Sequence, residues 1–170
     1  MNEFNQKNLH KLILPPWKLK GSGLILFYKL PKSLLAAHLK KIDAQYLGGV
    51  SFFMLINYES SPVGPYQELL FIPGRFRIGK ISGYHITYIR VSTEISTVNG
   101  IHNWAIPKQT INFAHKKETN TVSWKTDNGV ESFSGTFGYN SISIPVFTHF
   151  IPYQLIQQNE HILFTIRPLA

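Results

Sequence analysis

The stretch TVSWKTDNGVESFSGTF, residues 121–137, decides how the whole chain is read. At its centre Asp127-Asn128-Gly129 is a hairpin signal, because Asn-Gly readily takes the positive φ angles of a tight turn. β-Branched and aromatic residues flank it, so the pattern predicts strands over Thr121–Lys125 and Val130–Phe137. Outward from the hairpin, Lys116–Asn120 is a polar turn leading back to a strand over Thr110–His115. Further short strands are expected over Ser141–Val146 and His161–Arg167. In the first half, Leu24–Leu30 and Val50–Tyr58 are apolar runs of strand length, and Tyr66–Ile72 is another after the loop Glu59–Pro65. Arg75–Lys80 alternates with strand period, and Gly83–Val91 reads as a longer strand. Between the first two runs lies a helix opened by Pro31. Leu35, Leu39, Ile42 and Tyr46 recur there at helical spacing, and Gly48-Gly49 ends it. Ser92 or Thr93 caps a short helical turn running towards Gly100. Pro15-Pro16-Trp17 forces an extended lead-in. Many short strands with one real helix predict a mainly β fold. The expected form is a closed or nearly closed antiparallel β-barrel with one or two small outer helices, a single domain over residues 1–170.

A chain of 170 residues with 44% hydrophobic and 14% aromatic content can bury one substantial core. No apolar run reaches the roughly 18 residues of a membrane span, and Met1–Lys11 is too polar for a signal peptide. Without cysteine there is neither a disulfide framework nor a thiolate metal site. The expectation is a cytoplasmic protein that meets no membrane. The net charge of +8 suits an anionic partner, but its densest groups are only the pairs Lys40-Lys41 and Lys116-Lys117. No recognition helix or RNA-binding aromatic signature accompanies them, so nucleic acid is not the expected partner; such a binder would show steep salt dependence. A small carboxylate substrate uses the same charge more economically.

The candidate chemistry narrows by elimination. Gly74-Arg-Phe-Arg-Ile-Gly79-Lys80 matches a phosphate-binding loop until Ile81 stands where a magnesium-holding Ser or Thr belongs, and its residues alternate like a strand. The seven histidines include no pair at ligand spacing, and no nucleophile elbow is present. Two residues remain. Lys108 closes the apolar and aromatic stretch Asn99-Gly-Ile-His-Asn-Trp-Ala-Ile-Pro-Lys108, where an amine either snorkels to water or sits desolvated as a nucleophile. Glu68, within Tyr66-Gln-Glu68-Leu-Leu, either faces the interior for general acid-base work or lies on the solvent side of an edge strand.

Gly64-Pro-Tyr-Gln-Glu68, Val98-Asn-Gly100 and Trp104-Ala-Ile-Pro-Lys108, in this order and at this separation, resemble the acetoacetate decarboxylase family. The likeness extends from about Leu24 to about Pro152. It implies a β-barrel with small outer helices, assembled into homo-oligomers and needing no cofactor. It implies also that Lys108 forms a Schiff base with a β-keto acid while Glu68 moves protons. Tyr66, Phe53, Trp104, Gln109 and Lys20 are then the expected substrate-binding residues. Three positions depart from the family pattern. Gln109 replaces a second lysine, so that desolvation or another cation such as Arg75 or Arg90 has to activate the amine. Phe53 stands where a further glutamate is usual, and Gly21, beside Lys20, where an arginine is. The chain also ends at Ala170, earlier than the full-length decarboxylases, so closing strands are expected to be missing or supplied differently. The reading from these residues is a lysine-imine enzyme on a small keto acid, by decarboxylation or by an aldol-type or dehydration step. The alternative is a catalytically inactive barrel that binds a small apolar or anionic ligand.

Overall fold

The computed structural model describes residues 11–31, 33, 35, 39, 42–118, 121–127, 129, 132–138, 154–159 and 162–167. Within them the chain is mainly β. Strands β1 (Lys20–Tyr28), β3 (Ser51–Ser60), β4 (Tyr66–Ile72), β7 (Tyr88–Val91) and β8 (Lys108–Thr110) form one sheet in the order β1-β3-β4-β7-β8. A second sheet joins β9 (Asn112–Lys117), β10 (Thr121–Asp127) and β11 (Ser132–Gly138) as a meander. In the third, β2 (Gln45–Gly48), β5 (Arg75–Ile78), β6 (Ile81–Tyr84), β12 (Leu155–Asn159) and β13 (Ile162–Ile166) run in the order β13-β12-β6-β5-β2.

Two parts of the expected barrel differ. Among the described residues none of the three sheets closes on itself. Nor is the pairing wholly antiparallel, since β7–β8 and β12–β6 are parallel. The first of these has a direct cause. A parallel pair needs a crossover connection, and the helix α1 (Glu94–Trp104) supplies one between β7 and β8. This helix runs past Gly100, where it was expected to stop. It ends at Ala105, which donates to the Ile101 carbonyl at 2.9 Å and whose left-handed φ of 53° lets the next N–H, of Ile106, reach back to the Gly100 carbonyl at 3.3 Å.

The single strand expected over Gly83–Val91 is two strands. After Tyr84 the chain leaves the third sheet, and at Tyr88 it joins the first, where β7 pairs with β4. Tyr46, expected on a helix, lies in β2 and donates to the Pro73 carbonyl at 3.1 Å. Ser33, Leu35 and Leu39 are helical and Leu35 is buried, but Ile42, expected on the same helix, lies in a bend that leads into β2. Positions 32, 34, 36–38, 40 and 41, and the strand expected over Ser141–Val146, lie outside the described residues. The expected hairpin forms, with β10 running on to Asp127 and β11 beginning at Ser132; Val130, where the second strand was expected to begin, lies outside the described residues. Asp127 pairs with Ser132, Gly129 takes φ 81°, and its N–H donates to the Asp127 carboxylate at 2.8 Å.

Alternate side chains on a strand face opposite ways, and this divides the core into two layers. One face of the first sheet contributes Tyr66, Leu70, Ile72, Ile89 and Val91, packed with Ile86, Ile106 and Trp104. The other contributes Leu55 and Leu69, which pack with Trp124, Phe113, Phe133 and Phe137 of the meander. No helix among the described residues is long and apolar enough to cross a membrane.

His85 stands where the chain changes sheets. Its Nδ1 lies 2.7 Å from the Ile156 carbonyl and its ring 5.3 Å from that of Phe76. Burial pushes its imidazole below the usual range, partly offset by that carbonyl. Between the folded value and the unfolded one near 6.5, the unfolded chain binds more protons. The contribution is therefore complete above about pH 6.5 and is lost as the pH falls towards the folded value. The urea midpoint should drop between pH 7.5 and pH 5, and His85→Gln should drop less. An identical drop in both proteins would remove His85 as a source of the slope. His115, also held low by burial and by Lys117, accounts for part of what remains.

Candidate functional site

Lys108 is the first residue of β8 and pairs in parallel register with Ile89 of β7. Glu68 pairs with Val91 of β7 and Ile56 of β3. Leu70 lies opposite Ile89, so both charged side chains issue from the same face of the sheet. Each residue is only 5% exposed. Lys108 Nζ lies 3.0 Å from Glu68 Oε2, an ion pair inside an otherwise apolar layer.

The ammonium has a second acceptor. Lys108 Nζ donates to Ser96 Oγ at 3.1 Å, and Ser96 is fully buried on α1. A third side of the charge faces the Tyr66 ring, 5.0 Å from Nζ to its centroid. On the other carboxylate oxygen, Glu68 Oε1 accepts from Tyr58 at 3.4 Å. The Tyr58 and Tyr66 rings pack at 4.8 Å. Burial drives the Tyr66 phenol far above the usual phenol range; Glu68 raises it further and a hydrogen bond with Ser96 pulls it partly back. Tyr66 therefore keeps its proton at neutral pH and can donate it.

The helix sets the lysine's path. Ser96 and Gly100, four residues apart, share one face of α1, with Asn99 beside them, and all three are buried. Gly100 is where the lysine stem passes, since a Cβ there would sit 2.5 Å from Lys108 Cδ and 2.8 Å from Cε. The lead-in fastens the helix from outside. Asn99 Oδ1 accepts from the Ile13 N–H at 2.7 Å, and Asn103 Nδ2 and Trp17 Nε1 both donate to the Ile13 carbonyl, at 2.8 and 3.0 Å. Trp104 packs edge-on against Trp17 at 4.8 Å in the layer that holds Tyr66.

Thus Lys108, Glu68 and Tyr66 come together. Phe53, Gln109 and Lys20 do not join them. Phe53 pairs with Phe71 and Gln109 with Arg90, which places both on the face of the sheet turned away from Lys108. Lys20 is exposed at the start of β1, at the opposite edge of the sheet from β8. The cations considered as activators are elsewhere as well. Arg90 stacks on Tyr88 at 4.0 Å on the far face, and Arg75 is exposed and bonded to Ser82. Phe53 instead lines an open apolar groove of about 320 Å³ with Leu69, Phe71, Tyr88 and Phe133. Ser96 and Tyr58 were not anticipated. For Ser96 the available signal was its position one helical turn before Gly100. Among the described residues no cluster of three or more His, Asp or Glu could hold a metal ion.

Solved structures share this architecture. An acetoacetate decarboxylase from Legionella pneumophila matches 91% of the chain with TM-score 0.65 and 19% identity. A second acetoacetate decarboxylase matches 86% with TM-score 0.64 and 14% identity. The enduracididine biosynthesis enzyme MppR, complexed with pyruvate, matches 91% with TM-score 0.59 and 12% identity. The chain spans 64%, 61% and 68% of the lengths of these three. No protein-family model matches it, and no curated protein matches it in sequence. The chain has an acetoacetate decarboxylase-like fold.

Proposed function

We propose that this chain is an enzyme that forms an imine between Lys108 and the carbonyl of a small keto acid, and that the reaction is a decarboxylation. The observation that carries the proposal is the Lys108–Glu68 pair, 3.0 Å apart and buried in an apolar layer. A carboxylate at that distance can take a proton from the ammonium and free the Nζ lone pair. Attack on the carbonyl carbon makes the C–N bond, and the carbonyl oxygen recovers the proton from Glu68. The new hydroxyl then leaves as water with one of the two remaining nitrogen protons, and a protonated imine stays. If a carboxylate sits β to that carbon, its C–C bond breaks, CO₂ departs and the electron pair moves to the imine nitrogen. A solvent proton relayed by Glu68 adds to the resulting enamine carbon, and hydrolysis restores Lys108. Likeness to two decarboxylases and to an enzyme complexed with pyruvate supports a keto acid as substrate class. The protein is proposed to work as a homo-oligomer.

The test is borohydride trapping with a panel of β-keto and α-keto acids, followed by mass spectrometry. A reduced adduct on Lys108, with CO₂ release from at least one β-keto acid, is the expected result. Adducts with no CO₂ would move the reaction to an aldol-type or dehydration step; no adduct at Lys108 would sink the imine. A second reading is favoured by the apolar groove around Phe53 and Phe133. In it the protein is a non-catalytic relative that binds a small apolar molecule, and retention of such a ligand without any adduct would put it first.

A further inference from the structure

We infer that Ser96 is a positioning residue for the Lys108 amine; its catalytic consequence rests on the imine reading above. The groups facing Nζ come from two elements, Glu68 and Tyr66 of β4 and Ser96 of α1, with Tyr58 of β3 behind Glu68. The ionised carboxylate can only accept, and the ring of Tyr66 offers only its face. Ser96 can do both jobs without changing its own protonation state, which Glu68 cannot. Its hydroxyl accepts from the ammonium at 3.1 Å, and by rotating its O–H it can donate to the lone pair of the neutral amine. When Glu68 takes the proton, the electrostatic attraction that held Nζ in place disappears. A hydroxyl at 0% exposure on a helix keeps the amine in register through that change. While Ser96 accepts from the ammonium, its own O–H donates to the Tyr66 phenol oxygen, the bond that pulls that phenol's pKa partly back, so the buried hydroxyl is paired on both sides before it turns to the amine.

Two measurements test this, one without substrate. In ¹⁵N-lysine NMR, Ser96→Ala should speed exchange of the Lys108 Nζ protons about tenfold, the factor for losing one charge-assisted hydrogen bond. Lys108→Arg assigns the signal. In borohydride trapping with acetoacetate and pyruvate, Ser96→Ala should lower the limiting rate about tenfold. The half-saturating concentration should stay unchanged, because the keto acid does not bind to Ser96. Ser96→Thr, which keeps the hydroxyl, should recover most of both effects. A folded Ser96→Ala protein with parental Nζ exchange overturns the inference, as does a Ser96→Thr protein as impaired as the alanine variant. If the parent traps no keto acid, the imine reading falls, and the exchange measurement alone decides whether Ser96 holds the amine.

Discussion

Glu68→Leu alone is expected to destabilise the fold by about 3–5 kcal/mol, and Lys108→Met alone by a similar amount. The two together should lie within about 1 kcal/mol of the parent or above it. Each single change strands one charge in a layer where the other's side chain is only a few per cent exposed. Taking a charge out of water costs several kcal/mol, and the pair's mutual attraction merely offsets that cost. Replacing both groups by apolar side chains of similar size removes penalty and attraction together. Urea unfolding of the four proteins closes the double-mutant cycle, and a coupling of several kcal/mol is the expected result. Additive losses would mean that the two groups do not share one desolvated site, and the proposed proton transfer would go with them. A pair that adds no net stability yet stays buried is what a retained chemical function predicts.

Gly100→Ala is expected to slow trapping at Lys108 about a hundredfold while leaving the protein folded. Two opposed terms act on stability. Alanine in a helix interior gains about 0.5–1 kcal/mol over glycine, and overpacking a full interior costs about 1–3 kcal/mol. The second outweighs the first by a modest margin, so folding survives. The amine fares worse. A Cβ at position 100 would meet Lys108 Cδ at 2.5 Å and Cε at 2.8 Å, so the stem has to move by most of an ångström. Displacement of a reacting group by about 1 Å is enough for a hundredfold loss of rate. Parallel measurement of trapping rate and urea midpoint separates the two effects. Parental trapping by Gly100→Ala would show that the lysine has room for another path.

Neither expectation could have been written from the sequence. Apolar runs of strand length, period-two alternation and the Asp127-Asn128-Gly129 turn located β1, β3, β4, β5, β10 and β11 roughly, because a half-buried strand must alternate and a reversal needs a residue tolerant of positive φ. By contrast, β2 was read as helix and β8 was not seen. The Pro107-Lys108 step and the Tyr66-Gln-Glu68 strand marked the two groups that turned out to be neighbours. Gln109 was expected among the substrate-binding residues, yet it points away from Lys108 for the simple reason that adjacent strand residues do. That became visible only once the three residues of β8 were seen as a strand.

What the amino-acid order determined by itself, then, was the mainly β character, the hairpin and the identity of the lysine and the glutamate. The first two follow from local sterics and from the short-range demand to bury apolar side chains; the lysine and the glutamate were singled out by elimination and by their motifs. The tertiary structure alone decided the rest. It broke Gly83–Val91 between two sheets, made β7 and β8 parallel by passing the chain through α1, and set Ser96 and Gly100 of that helix against the lysine. Those outcomes depend on which distant strands pair, and the pairing energy belongs to contacts between residues far apart in the chain. Local pattern carries no record of such contacts. Whether Lys108 reached water or a buried carboxylate was settled in the same way, by the long-range packing that brought β4, β7 and β8 side by side.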